Sequence, residues 1–325
     1  MRLVMMGTGP FAVPTFLSLL DSSHEVTGLI TRPPHGVRGR GPAPVNPMRE
    51  AAEARGVPVF MPEDINTQES CELLAKLAAE LMVVCDYGQI LKQTTLSQTR
   101  LGGINLHGSL LPKYRGAAPV HWAVYNGDAE TGVTVIHMTP KLDGGPILAV
   151  RRTPVDPEET TAELEPRLAQ LGVEPVLEAI EMLKNWDGEN PIGERQDPAL
   201  ACKAPRLQKT DGALDWTRTA RELKNQIRAF QPWPGCYTHW LGGKGGPLRL
   251  ILNHVSVLPP SMLTTPLEKH PPGTVVFNDR NLWVATGYGL LSIDRLQPAG
   301  KRIMSADEFL RGHNLQIGDV LSPVG

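Results

Sequence analysis

Cysteine is scarce and scattered in this chain of 325 residues: Cys71, Cys85, Cys202 and Cys236 stand far apart, with no Cys-x-x-Cys pair among them. That spacing excludes a zinc ribbon or a thioredoxin-type motif and fits a reducing compartment. No apolar run approaches the roughly 20 residues that a membrane-spanning helix needs, so no membrane association is expected. The apolar start from Met1 to Leu20 does not read as a secretory leader. Gly7-Thr8-Gly9-Pro10 splits it, and Arg2 is a meagre basic flank. A cytoplasmic protein is therefore expected. Metal-ligand spacing is missing, as are internal repeats and low-complexity tracts, and no metal is expected. An excess of one charge is missing too: 32 Lys/Arg oppose 34 Asp/Glu, a net of −2. On that total alone a nucleic-acid binder is disfavoured.

What is present describes an ordinary globular chain, 41% hydrophobic and 20% charged, which argues against disorder. The length suggests two domains. Gly (32) and Pro (30) are abundant without a Gly-X-Y period, which signals many turns rather than collagen.

Along the chain, strands are expected at Arg2 to Met6, Glu25 to Ile30, Val57 to Phe60, Leu81 to Cys85 and Gly103 to Leu106, with helices at Phe11 to Leu20, Asn46 to Arg55 and Gln68 to Lys76. This alternation predicts an α/β fold with a Rossmann-like, doubly wound, mainly parallel sheet covered on both faces. Thr131 to Met138 and Pro146 to Val150 read as further strands, and Thr161 to Lys184 as one long helix despite Pro166 and Pro175. The first domain is placed at residues 1–187. Residues 188–206, with Pro191, Pro198 and Pro205 and no apolar period, read as a linker. Residues 207–325 then carry one helix, Thr219 to Phe230, and five strand-like runs: Cys236 to Leu241, Leu248 to Leu258, Thr274 to Phe277, Leu282 to Thr286 and Leu290 to Leu296. Five short strands at such intervals suggest a small β-barrel of the OB type.

Gly7-Thr8-Gly9-Pro10-Phe11-Ala12 satisfies the G-x-G-x-x-G/A pattern between a strand and a helix. The acidic residue expected about 20 positions on is absent. Arg32 stands at the end of the second strand instead, so an NADP-dependent oxidoreductase using Gly9 and Arg32 is one alternative, and a plain tight turn is the other. The loop from Thr31 to Pro44 carries Arg32, Arg38 and Arg40 in a Gly/Pro-rich context suited to phosphate contacts. The densest segment runs from Ile104 to Leu148. Asn105 and His107 point the same way at period two, at the carboxyl end of a parallel strand where open α/β sheets place their sites. Asp143 lies in a second loop, Lys141 to Gly145. An amide, an imidazole and a carboxylate can polarise a carbonyl and manage a proton. His121 and His137 fall in helix and strand patterns and read as structural.

The run from Asn105 to Pro119 (Asn-Leu-His-Gly-Ser-Leu-Leu-Pro-Lys-Tyr-Arg-Gly-Ala-Ala-Pro), together with Leu142-Asp143-Gly144-Gly145-Pro146-Ile147-Leu148, resembles the formyltransferase family that uses 10-formyltetrahydrofolate. The likeness extends over nearly the whole chain. Arg228-Ala229-Phe230-Gln231-Pro232-Trp233-Pro234 and Gln297-Pro298-Ala299-Gly300-Lys301 are similar to those members that act on methionyl-tRNA rather than on sugars or purine precursors. The resemblance implies a catalytic trio of Asn105, His107 and Asp143. Attack by the methionyl amine on the formyl carbon would be direct, and the donor 10-formyltetrahydrofolate a co-substrate. It places the folate against Tyr87, Gly88, Gln89, Ile90 and Leu91, against Ser109, Leu110, Leu111 and Pro112, and against Leu142 and Gly144. Charged initiator methionyl-tRNA would meet Arg32, Arg38 and Arg40, and Lys203, Arg206 and Lys209. A monomer is expected. A formyltransferase acting on a sugar nucleotide and a non-catalytic tRNA-binding protein are the other readings. The sequence departs from the family pattern at Gly9-Pro10, where Pro usually holds position 9. It departs again at Asp86, where a small apolar residue precedes Tyr-Gly, and at Lys92 and Gly108.

The balanced charge conceals two different halves. From Lys203 onward the chain has 15 Lys/Arg and 9 Asp/Glu, a net of +6, whereas residues 1–202 have 17 and 25, a net of −8. A basic second domain beside an acidic catalytic one suits a polyanionic substrate held by its backbone.

Overall fold

The computed structural model describes residues 1–34, 45–242, 246–262, 266, 269–277 and 279–322. The described parts of residues 1–120, 130–154 and 163–205 form one compact unit. The described parts of residues 121–129, 155–162 and 206–325 form a second.

In the first unit the strands are β1 (Arg2–Met6), β2 (Glu25–Ile30), β3 (Val59–Phe60), β4 (Leu81–Cys85), β5 (Gly103–His107), β6 (Arg115–Gly116), β7 (Glu130–His137), β8 (Ile147–Pro154) and β9 (Lys203–Ala204). The helices through the same stretch of chain are α1 (Val13–Leu20), α2 (Pro47–Ala54), α3 (Gln68–Leu77), α4 (Gln93–Leu96), α5 (Pro119–Asn126), α6 (Thr161–Leu171) and α7 (Val173–Lys184). The main sheet has the order β3-β2-β1-β4-β5-β7-β8. β1 and β4 are continuous apolar runs because both faces of the central strands are covered. All five residues of β4, and four of the five in β1, are buried. Val4, Met6, Ile30, Met82 and Val84 pack with Ile65, Leu74, Leu91 and Leu96 into one core. Each such side chain contributes about 1.5–3 kcal/mol on burial. Asn46 caps α2 by accepting from the Arg49 N–H, and Thr67 caps α3 through the Ser70 N–H. The order reverses between β1 and β4, and loops leaving the carboxyl ends of the strands around such a reversal form a crevice.

The sheet is mainly parallel, as expected: it is parallel from β3 to β5, while β7 runs antiparallel to β5, and β8 antiparallel to β7. Two features differ from the expectations. The third strand is shorter than expected and starts at Val59. The single helix expected from Thr161 to Lys184 is two, α6 and α7, parted at Gly172. Pro175 has no N–H for the Leu171 carbonyl, and its ring crowds that oxygen, so the ladder stops there. Gly172 also passes too close to β5 for a side chain, since a Cβ there would lie 2.5 Å from Leu106 Cδ2. The segment read as a linker is tied into this unit. Glu194 exchanges two backbone hydrogen bonds with Ile147, both 2.8 Å, and β9 pairs in parallel with β6.

The second unit holds α8 (Ala220–Ala229), α9 (Ala306–Gly312) and strands β10 (Cys236–Trp240), β11 (Leu248–Leu258), β12 (Val275–Phe277), β13 (Leu282–Ala285), β14 (Leu290–Pro298), β15 (Met304–Ser305) and β16 (Leu321–Ser322). Its antiparallel sheet runs β12-β13-β14-β11-β10-β16, with β15 on the flank of β14. A bridge between Thr274 and Val320 joins the two ends and makes the unit an OB-like barrel. Thr219 and Glu222 form a capping box at the start of α8, whose apolar residues Leu223 and Ile227 are buried.

Candidate active site

Asn105 and His107 stand two residues apart on β5, so their side chains leave the same face of the strand. His107 is buried, and its Nε2 lies 2.8 Å from the Tyr114 carbonyl oxygen. A carbonyl can only accept, so the proton sits on Nε2, and Nδ1 is the ring nitrogen left for chemistry. Nδ1 faces Asp143 Oδ2 at 3.8 Å, with the two side chains 6% and 10% exposed. The same carboxylate oxygen accepts the Gly116 N–H at 2.8 Å. The Asn105 amide makes no hydrogen bond to another described residue, which leaves its N–H groups for a ligand oxygen. Imidazole, carboxylate and amide thus occupy the end of β5 and the loops beside it, and can stabilise a developing oxyanion while handling one proton.

The two loops that bring these groups together are tightly tied. After β5, Ser109 Oγ donates to the Lys113 carbonyl at 2.7 Å. Thr134 Oγ1 on β7 donates to the Ser109 carbonyl at 2.7 Å and accepts the Leu111 N–H at 3.1 Å. Tyr114 has φ +63°, and Asp143 has φ +47°. Such left-handed conformations cost a side-chain-bearing residue about 1–2 kcal/mol and persist only where neighbours enforce them. The enforcing neighbours come from the strap of chain between Glu194 and Ala204. Gln196 Nε2 donates to the carbonyls of Asp143 and Gly145, at 2.8 and 2.7 Å. Its Oε1 accepts from Arg115 Nε and Nη2, at 3.1 and 2.5 Å. Cys202 Sγ accepts the Tyr114 N–H at 3.2 Å, and its carbonyl accepts the Arg115 N–H at 2.9 Å. Tyr114, Arg115 and Gly116 stand in the run that carried the family resemblance, but no role was expected of them, and Gln196 carried no signal because its partners lie elsewhere in the chain.

On the other side of β5, the loop after β4 holds Tyr87 to Leu91. Leu91 belongs to the core, and Gln89 is committed to the Ile65 N–H and the Glu63 carbonyl, at 3.0 and 3.2 Å. Ile90 is 60% exposed, and Leu142, across the site in the Asp143 loop, is 52% exposed. Those are apolar groups available to a flat ligand. The Tyr87 hydroxyl and Arg32 Nε are both buried without a partner among the described residues. Burial raises the Tyr87 pKa, and the neighbouring Arg32 charge opposes that rise.

The Gly7 to Pro10 turn is occupied by protein. A Cβ built on Gly9 would coincide with the Asp86 carboxylate. The two departures from the family pattern therefore explain each other: position 9 is glycine because the residue-86 carboxylate fills its side-chain space. A cofactor pyrophosphate placed against this turn would meet that carboxylate, which counts against the NADP alternative. Asp86 sits at φ +47° after β4, with its carbonyl accepting the Thr8 N–H at 3.0 Å. Its side chain reaches solvent, but protein walls the cleft around it, and that desolvation raises its pKa to about 6. Glu165 on α6 is pushed up to about 7, by burial first and then by the Asp86 charge.

Of the other expected residues, Ser109 and Leu111 are buried, whereas Leu110, Pro112 and Gly144 keep partial exposure and Gly88 is exposed. Arg32 follows β2 and is half-buried; Arg38 and Arg40 lie outside the described residues. Lys203 is exposed on β9 of the first unit, and Arg206 and Lys209 are exposed in the second. His137 Nε2 lies 2.9 Å from the Leu101 carbonyl, and its ring meets Trp186 edge-on at 5.1 Å. Burial lowers the His121 pKa to about 4, so that ring is neutral at physiological pH. Among the described residues, no group of three or more His, Cys, Asp or Glu side chains could hold a metal ion. No described helix is long and apolar enough to cross a membrane.

Comparison with known proteins bears on this arrangement directly. Residues 1–180 match the family Formyl transferase, and residues 206–314 match Formyl transferase, C-terminal domain. The chain is 47% identical over 329 residues to the methionyl-tRNA formyltransferase of Rhodopirellula baltica, covering 99% of this chain and 96% of that one. It is 39% identical over 327 residues to that of Geobacter sulfurreducens, covering 100% and 98%. In fold it is similar to WlaRD, a sugar 3N-formyl transferase solved with dTDP and 5-N-formyl-THF. That match has a TM-score of 0.61 and 17% identity, covering 93% of this chain and 99% of that one. The chain belongs to the formyl transferase family, in the branch of the methionyl-tRNA formyltransferases.

Proposed function

We propose, from membership of the formyl transferase family, that this chain transfers the formyl group of 10-formyltetrahydrofolate to the α-amino group of methionyl-tRNA, the charged initiator in particular. The observation that carries the reading is the meeting of Asn105, His107 and Asp143 at the end of β5, in a chain similar over its full length to methionyl-tRNA formyltransferases. The amine nitrogen attacks the formyl carbon, forming the new C–N bond and a tetrahedral oxyanion. The bond from that carbon to N10 of the folate then breaks, and the proton lost by the amine goes to N10. Asn105 donates to the oxyanion. His107 acts through Nδ1, since Nε2 is held by Tyr114, and the Asp143 carboxylate 3.8 Å away orients the ring. No covalent enzyme intermediate is needed.

The same reading places the folate against Tyr87 to Leu91, Ser109 to Pro112, Leu142 and Gly144. The exposed apolar groups of Ile90 and Leu142 support that placement. It gives the phosphates of the tRNA to Arg32, Arg38 and Arg40 and to Lys203, Arg206 and Lys209, with residues 1–187 catalytic, 188–206 connecting and 207–325 holding tRNA. The net +6 from Lys203 onward supports that division. The enzyme works in the cytoplasm as a monomer. The test is direct. Purified protein, 10-formyltetrahydrofolate and charged methionine tRNAs should yield formyl-methionyl-tRNA, faster on the initiator than on the elongator. No product with either tRNA refutes the reading.

A further inference from the structure

We infer that Gln196 is a positioning residue: its side-chain amide grips the backbone of Asp143 and so sets where the Asp143 carboxylate stands relative to His107. This rests on the proposed formyl transfer through Asn105, His107 and Asp143. The amide uses its full capacity, two N–H groups on the Asp143 and Gly145 carbonyls and one oxygen on two nitrogens of Arg115. Its orientation is unambiguous, because the carbonyls can only accept and the guanidinium can only donate.

These bonds close a ring. Arg115 precedes Gly116, whose N–H holds Asp143 Oδ2 at 2.8 Å. Asp143 is thus gripped at its carbonyl by Gln196 and at its carboxylate by Gly116, and the two grips are joined through Arg115. Asp143 needs such a frame, since its backbone sits at φ +47°. Gln196 is itself anchored on both sides. Glu194 is bonded twice to Ile147, and Lys203–Ala204 pairs with Arg115–Gly116. Without the amide, the Lys141 to Gly145 loop loses the bond that holds the Asp143 carbonyl and the one that holds the Gly145 carbonyl. A displacement of about 1 Å of a catalytic group lowers turnover by about 100-fold.

The discriminating variant is Gln196→Met, which keeps the length and bulk of the side chain and removes every hydrogen bond. It should lower kcat by about 10- to 100-fold and leave KM for both substrates within about 3-fold. In an Asp143→Ala background the same change should lower kcat no further, because the residue it acts through is gone. A second readout does not require turnover. The imidazole ¹⁵N signals of His107 in the substrate-free enzyme should move in Gln196→Met toward their positions in Asp143→Ala. Wild-type kcat in Gln196→Met, or the same fractional loss in both backgrounds, overturns the inference. So do unmoved imidazole signals. An inactive wild-type enzyme would instead refute the reading of function, and the imidazole signals would still decide the positioning.

Discussion

Replacing Glu165 by Gln should stabilise the protein, and by an amount that grows with pH. Burial and the Asp86 charge hold the Glu165 carboxyl at about 7, against an ordinary value of 4.5. Between those values the folded chain keeps a proton that the unfolded chain has released, so this group's contribution is complete below pH 4.5. It is lost as pH rises through 7. A gap of about 2.5 pH units corresponds to about 3.4 kcal/mol at about 1.4 kcal/mol each. Partial solvent access and the mutual dependence of the two carboxyls bring this down to about 2 kcal/mol. Gln keeps the shape and carries no charge, so it recovers this amount at pH 8 and almost none at pH 4.5. At about 2–4 °C per kcal/mol for a unit of this size, the Tm should rise by about 4–8 °C at pH 8. Scanning calorimetry from pH 4.5 to 8.5, following the transition of the first unit, measures it. An equal shift at both ends of the range, or a lower Tm at pH 8, refutes the assignment of a partly desolvated, mutually repelling pair.

Asn105→Ala and His107→Ala should each lower kcat by about 100-fold or more, the scale of a lost oxyanion donor, and steady-state formylation rates within a few-fold of wild type would refute those roles. Gly9→Ala should destabilise the first unit by about 1 kcal/mol by displacing the Asp86 carboxylate, and Asp86→Ala should remove most of that loss. Denaturant titration of the four forms checks the cycle, and simple additivity would contradict it. In the second unit, Arg228 is buried and donates to the Asp156 and Glu159 carbonyls at 3.0 and 2.9 Å. Arg228→Ala should therefore lower that unit's stability by about 2–3 kcal/mol, and an unchanged calorimetric transition would show those bonds to be dispensable.

The sheet was legible because its central strands are buried on both faces and must be unbroken apolar runs, as Leu3 to Met6 and Leu81 to Cys85 are. Asn105 and His107 were legible because a strand's period of two puts them on one side at its carboxyl end. The break at Gly172 was not. Pro175 acts on the carbonyl four residues earlier, and the close approach of Leu106 comes from another element altogether. Gln196 was hidden for the same kind of reason, since its amide serves carbonyls some 50 positions back in the chain. Asp86 and Gly9 were each visible as departures from the family pattern. That they are one departure became visible only when the folded chain brought a carboxylate into the space of a missing side chain.

The shared space between residues 9 and 86 also constrains the order in which this turn can change. With Pro or Ala at position 9 the space filled here by the residue-86 carboxylate is taken, so an aspartate that follows the glycine settles there without the displacement that the opposite order requires. On the return path, while Asp86 remains, a side chain added at position 9 has to displace that carboxylate, at a cost of about 1 kcal/mol. Each of the two positions thus sets which side chains the other can take without rearranging the mouth of the cleft.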